Sequence, residues 1–142
     1  MSKGNTFEND LLALIFNATA IANLADNAAS SPLANLYVSL HTADPGEAGT
    51  QTTSECAYTS YGRATIARTS GGWTVSGNSV SPVSAITFPA CTGGTETATY
   101  AAVGVASSGS SKILYSGAIS PSISISSGVT PQLTTASTIT ED

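Results

Sequence analysis

Side-chain catalysis needs a proton carrier or an activated nucleophile, and this 142-residue chain offers few of either. His41 is the only histidine. A serine-type triad would join it to Asp44 and one of the many serines, yet there is no Gly-x-Ser-x-Gly elbow to present a nucleophile. Alternation around His41 puts it on the polar side of a strand, where a hydrogen-bonded surface histidine is the expected role. Asp44, Glu47 and Glu55 share one polar stretch and could serve glycoside hydrolysis or calcium binding. The DxDxDG spacing of a calcium loop is absent, so a solvated loop is the plainer reading. Cys56 and Cys91 form no CxxC and have no histidine beside them, which argues against a metal centre and for two free thiols. Gly71-Gly72 and Gly93-Gly94 lack the Lys-Ser/Thr of a phosphate loop and read as hairpin turns. The chain is therefore read as non-enzymatic, with no catalytic residue, cofactor or metal assigned.

The elements that would position these groups change character near residue 30. From Thr6 to about Ala25 there is no Gly or Pro, and Phe7, Leu11, Leu14, Ile15 and Ala18 recur at helical spacing. Asn5 or Thr6 suits the N-cap, and Glu8 and Asp10 suit the positive end of the helix dipole. A second short turn is expected over residues 21–28, stopped by Ser30-Ser31-Pro32. The apolar stripe would serve packing within the chain or against a partner equally well.

After Pro32 the pattern is that of strands. Leu36, Val38 and Leu40 alternate with Tyr37, Ser39 and His41, and Asp44-Pro45-Gly46 supplies a turn. Residues 47–58 read as a long polar loop. Strands are expected over 61–69, 73–75, 85–88, 96–106, 112–119, a short run after Pro121, and 133–140, with turns every 8–12 residues. This predicts a mainly-β chain: an antiparallel β-sandwich or jelly roll of about eight strands (31–142) behind an N-terminal helical arm (1–30).

Composition narrows the function classes. Charged residues make up 9% of the chain, against about 25% in an ordinary domain, while Ser and Thr together make up about 30%. Disordered solvating tails combine low hydrophobicity with high charge, and 41% hydrophobic content at low charge does not fit them. Four basic against nine acidic residues, net −5, disfavour nucleic-acid binding. No run approaches the ~20 apolar residues of a membrane span, and the N-terminus lacks the layout of a signal peptide. Synthesis in a cytoplasm is the expectation. For contact with a partner, the candidates are Phe7, Leu11, Leu14 and Ile15 on the arm (Met1–Ala29). Asp44, Glu47 and Tyr58 are the candidates in the loop from Asp44 to Ser60, and Tyr61 follows at its junction with the next strand, with the tyrosines read as aromatic anchors.

Several segments in order carry a family resemblance: NLYVSLHTADPG over Asn35–Gly46, Glu55 with Tyr61-Gly62-Arg63, and Ile86–Pro89. Val103–Val105, Leu114–Gly117 and Gly128–Pro131 follow. Together they resemble small virion proteins of tailed bacteriophages, often labelled tail-fibre proteins, whose better-understood relatives look like jelly-roll capsid cement (decoration) proteins. The resemblance spans about residues 3–142. It implies a protein bound to the outside of an icosahedral capsid that clamps neighbouring major capsid subunits, as a homodimer. The alternatives are a tail-fibre or baseplate component and, from a different class, a carbohydrate-binding module. Under the last reading Trp73 or His41 would carry the activity.

Overall fold

The computed structural model describes residues 3, 5–21, 25 and 33–141. One helix, α1 (Asn5–Asn17), precedes nine strands. These are β1 (Asn35–His41), β2 (Ala64–Ala67), β3 (Trp73–Ser76), β4 (Ser79–Pro82), β5 (Ile86–Thr87), β6 (Thr95–Gly104), β7 (Ile113–Ser126), β8 (Gln132–Leu133) and β9 (Ile139–Thr140). The fold is mainly β and antiparallel with an N-terminal helix, as the alternation and the turn spacing predict. The strands form sheets in the orders β2-β1-β6-β7 and β3-β4-β9, and a two-stranded ladder of β5 and β8. The chain clusters into two compact units. One comprises Met1–Asn35, Ala67–Ile86 and Leu133–Asp142; the other comprises Leu36–Ile66 and Thr87–Gln132. The boundary expected at residue 30, and most of the expected second turn, fall on 22–24 and 26–32, outside the described residues.

In the first unit α1 packs on β3 and β4. The helix ends at Asn17, earlier than its Gly- and Pro-free sequence suggests. Ala18 adopts φ +54°, and the Thr19 N–H returns to the Ala13 carbonyl at 3.1 Å. The face it buries is Glu8, Leu12 and Phe16, not the expected stripe, and Phe7 is left 39% exposed. The reason is that Leu11–Phe16 is an unbroken apolar run, so spacing alone could not choose a face. The choice is made by Phe16, whose ring meets Trp73 edge-on with centroids 4.8 Å apart. The helix has no basic residue in its last turn, and its open carbonyls are answered from across the unit. Arg68 Nε donates to the Ile15 carbonyl at 2.6 Å and Nη2 to that of Leu14 at 2.5 Å.

β3 and β4 form a hairpin in which Ser76 faces Ser79 across Gly77-Asn78. Gly77 has φ +59°, the conformation that the first position of a II′ turn requires. β9 adds to β4 through Ser79–Thr140 and Val80–Ile139. Gly71-Gly72 and Gly93-Gly94 do not close hairpins: each lies between strands of different sheets.

In the second unit β1 runs antiparallel to β6, with Val38 opposite Val103 and His41 opposite Tyr100. The half-buried alternation expected of β1 is only partly present, because Ser39 and His41 are buried along with Leu36, Val38 and Leu40. β7 joins into one strand what the sequence divides at Pro121. Its register against β6 jumps between Ala98–Ile123 and Tyr100–Ala118, so Ile119–Ser122 stand opposite the single residue Thr99. A proline cannot donate to the ladder, and the strand leaves and rejoins its neighbour around it.

Candidate functional site: a loop fastened by buried polar groups

The polar chemistry gathers in the second unit, under the segment that connects β1 to β2. This segment was expected to be a solvated loop. Instead Gln51, Cys56 and Tyr58 are buried within it, and it is stitched to β1 by Cys56 N–H to Leu40 O and Thr42 N–H to Ser54 O, both 2.8 Å.

Glu55 and Arg63 form its central ion pair, with Nε to Oε1 at 2.7 Å and Nη2 to Oε2 at 2.8 Å. Such a fork matches guanidinium to carboxylate in both distance and plane. Arg63 spends its remaining donors on the carbonyls of Ala106 (2.9 Å) and Gly109 (2.8 Å), fixing the turn between β6 and β7. Tyr61 donates to Glu55 at 2.9 Å and accepts the Leu40 N–H at 3.1 Å. Burial pushes the Tyr61 phenol well above its ordinary value, and the hydrogen bond to Glu55 holds the Arg63 guanidinium above its own.

Glu96 on β6 anchors the far side of the loop. Its carboxylate accepts the N–H groups of Ala57 (2.9 and 3.1 Å) and Tyr58 (3.0 Å). Tyr58 is 4% exposed and donates to the Pro89 carbonyl at 2.8 Å. Burial, with Glu96 and Glu55 nearby, raises the Cys56 thiol to about 12, and burial also raises Tyr58 to about 12. Neither group ionises at neutral pH, and Cys56 and Cys91 are both free and buried. Gln51, fully buried, donates to Tyr37 O at 3.3 Å and accepts from Ala106 N at 3.3 Å and from the Ser111 hydroxyl. It occupies the space beside Gly104, where a Cβ would come within 2.0 Å of the Gln51 Cδ.

His41 sits at the floor, not at the surface. Its Nδ1 lies 2.8 Å from the Thr53 carbonyl, which can only accept, so Nδ1 carries the proton and Nε2 accepts from the Ser39 hydroxyl at 2.9 Å. Burial holds the imidazole below its ordinary pKa. Hydroxyl, imidazole and orienting carbonyl follow the order of a catalytic dyad. Both side chains are 0% exposed, however, so no substrate reaches them. Asp44 takes no part: its Oδ1 accepts the Gly46 N–H at 2.8 Å on the exposed shoulder of the loop.

The candidate contact residues therefore separate. Asp44 and Glu47 are exposed at the loop shoulder, while Tyr58 and Tyr61 meet edge-on at 5.2 Å inside the unit and cannot act as surface anchors. Leu11, Leu14 and Ile15 are half-buried on α1, and Phe7 is exposed. Sequence reasoning missed Gln51, Arg63 and Glu96 as organisers. The available signal was scarcity: in a chain this poor in charge, an acid or base inside an apolar strand pattern has to be paired. Among the described residues no three His, Cys, Asp or Glu side chains gather into a metal-ligating group.

Fold and site together define a mainly-β protein whose buried polar groups fasten its own loops. Comparison with protein families extends this. Residues 3–140 match the family described as podophage GP4 fiber I protein gp80, and the chain belongs to that family. It is thus a bacteriophage structural protein. No curated protein matches the chain.

Proposed function

We propose that this protein is a fibre component of the virion and that it assembles through a backbone edge of its second unit. The family description supports a fibre over a capsid cement. The observation that carries the mode of assembly is β7. It is the edge of the β2-β1-β6-β7 sheet, and among the described residues only β6 pairs with it. No charged residue occurs between Lys112 and Glu141, and Ser116, Gly117, Ala118, Ser122, Ser124 and Ser126 are exposed. Edge strands are ordinarily blunted by charge, since an open row of N–H and C=O groups recruits another strand. An uncharged edge with small side chains is suited to strand addition by a neighbouring virion subunit. The proposed role is non-catalytic: the Ser39–His41 pair is sealed, and Gln51, the other fully buried polar side chain of the second unit, is hydrogen-bonded within the protein.

Antibody labelling of intact virions tests the location. Gold on tail fibres is the expected result, and gold confined to heads would restore the cement reading. Gly117→Lys tests the edge. A Cβ at Gly117 meets nothing within 4 Å, so the variant should fold with stability within about 0.5 kcal/mol of the parent. Its incorporation into virions should fall sharply, and undiminished incorporation would overturn assembly through β7.

A further inference from the structure

The residues of β7 also say which strand fits its open edge. Pro121 has no N–H to donate, so the outer row of donors breaks there, and its longest unbroken part is Ile113–Ser120. Within that part Ser116, Gly117 and Ala118 are consecutive exposed residues with little side chain to hold a neighbour away. Tyr115 and Ile119 flank them on the face that Gly117 shares, and both are half-buried. All four basic and nine acidic residues lie outside Ile113–Thr140. Two copies of a chain with net charge −5 repel each other. This edge is where they can meet without taking a carboxylate out of water.

A second copy laid antiparallel, with Gly117 opposite Gly117, sets Ser116 against Ala118, Tyr115 against Ile119 and Leu114 against Ser120. Symmetry makes each match twice. Small residues meet at the centre, and on the half-buried face an aromatic ring meets a β-branched side chain, a pair that stabilises antiparallel strands. The paired segment ends before Pro121, and its sense continues the antiparallel order of β1, β6 and β7. We propose that β7 pairs with β7 of a second copy about a two-fold axis at Gly117, joining the two four-stranded sheets into one. A two-fold contact uses the same edge on both subunits and so closes at a dimer. The opposite edge offers no head-to-tail alternative, because β2 has four residues and is bracketed by Arg63 and Arg68. The inference rests on the reading of β7 as the assembling edge and names the neighbouring subunit as a copy of this chain.

Sedimentation equilibrium of the purified full chain tests the pairing, and a dimer is the expected result. Gly117→Lys sets two cations face to face at the axis and should raise the dimer dissociation constant about a hundredfold or more. Ser124→Lys, on the same strand but beyond the paired segment, should change it by less than about threefold. Oxidation of single-cysteine additions gives a second readout, since the native Cys56 and Cys91 are buried. Gly117→Cys chains should cross-link, because Cβ atoms directly opposite in an antiparallel pair lie about 4.5–5.5 Å apart. Ser124→Cys chains should not, because the two copies of that position would stand roughly 45 Å apart along the strands. A monomeric parent, a Gly117→Lys chain that pairs as tightly as the parent, or equal cross-linking at both positions would each overturn the pairing. Virion incorporation of Gly117→Lys judges the assembly reading separately. A monomeric parent whose Gly117→Lys variant still fails to enter virions overturns the pairing alone and leaves β7 to a different subunit.

Discussion

Around α1 burial is mainly apolar: Leu12, Phe16, Trp73 and Val80 are each 2% exposed or less, with Glu8 as the one charged residue on the buried face of the helix, and the one buried side-chain donor with no partner among the described residues is the indole N–H of Trp73. Beneath the loop from Thr42 to Arg63 the buried set includes Ser39, His41 and Gln51, and the side chains of the Glu55–Arg63 pair are only 14% and 3% exposed. The two regions belong to one chain with one composition, so the contrast teaches how a protein with few charges spends them. Apolar packing is non-directional and tolerates adjustment. A hydrogen-bonded network is directional, and removing one member strands the others. The helix can therefore be held by bulk, whereas a long loop has to be held by specific partners.

The contrast can be broken by mutation, and the largest effect is expected at Arg63. Arg63→Ala leaves Glu55 without its cation and frees the carbonyls of Ala106 and Gly109. A loss of about 3–5 kcal/mol is expected by denaturant unfolding. If the region is held by partners, Glu55→Gln combined with Arg63→Met should be less damaging than Arg63→Ala alone. Additive losses would mean that the pair acts through its bulk. In the apolar region, Leu12→Ala should cost about 2–5 kcal/mol, depending on how far the site collapses. Hydrogen exchange should then rise in α1, β3 and β4 while the amides of Ala57 and Tyr58 stay protected. Loss of protection at both would show that the two regions unfold as one.

A smaller effect separates the regions by pH. His41 is held by burial below its ordinary value of 6.5, so the unfolded chain takes up a proton before the folded one does. The stabilisation by the neutral imidazole is complete above about pH 6.5 and is lost as pH falls below that, with a slope of at most about 1.4 kcal/mol per pH unit. His41→Gln should flatten this part of the stability–pH curve, and an unchanged slope would assign it to other groups. The smallest expected effect is at Arg68. Arg68→Gln removes a charge from the carbonyls of Leu14 and Ile15 and should cost about 1 kcal/mol, read as fraying at the end of α1 by exchange. Uniform destabilisation with no local fraying would mean that Arg68 does not act as a cap.

Local rules made some of this legible in advance. The alternation of Leu36, Val38 and Leu40 marks β1, because it is set by residues within a few positions of one another. The loop was not legible. Its polarity resembles that of any solvated segment, and its partners lie far away in sequence: Glu96 is 38 residues from Tyr58, and Ala106 is 43 from Arg63. The contact candidates divided for the same reason. Tyr58 and Tyr61 have the composition of anchors, and only the folded chain shows their hydroxyls turned to Pro89 and Glu55.

The sequence by itself determined the mainly-β class, the helix at the start and the scarcity of charge, since propensity, period and composition act locally or are simply counted. Tertiary structure decided which face of α1 is buried, which polar groups are occupied, and that β7 runs through Pro121 as one long edge. Those outcomes depend on which distant segments are brought within about 3 Å of one another, a distance at which a hydrogen bond is made or lost. Local pattern carries no information about that meeting.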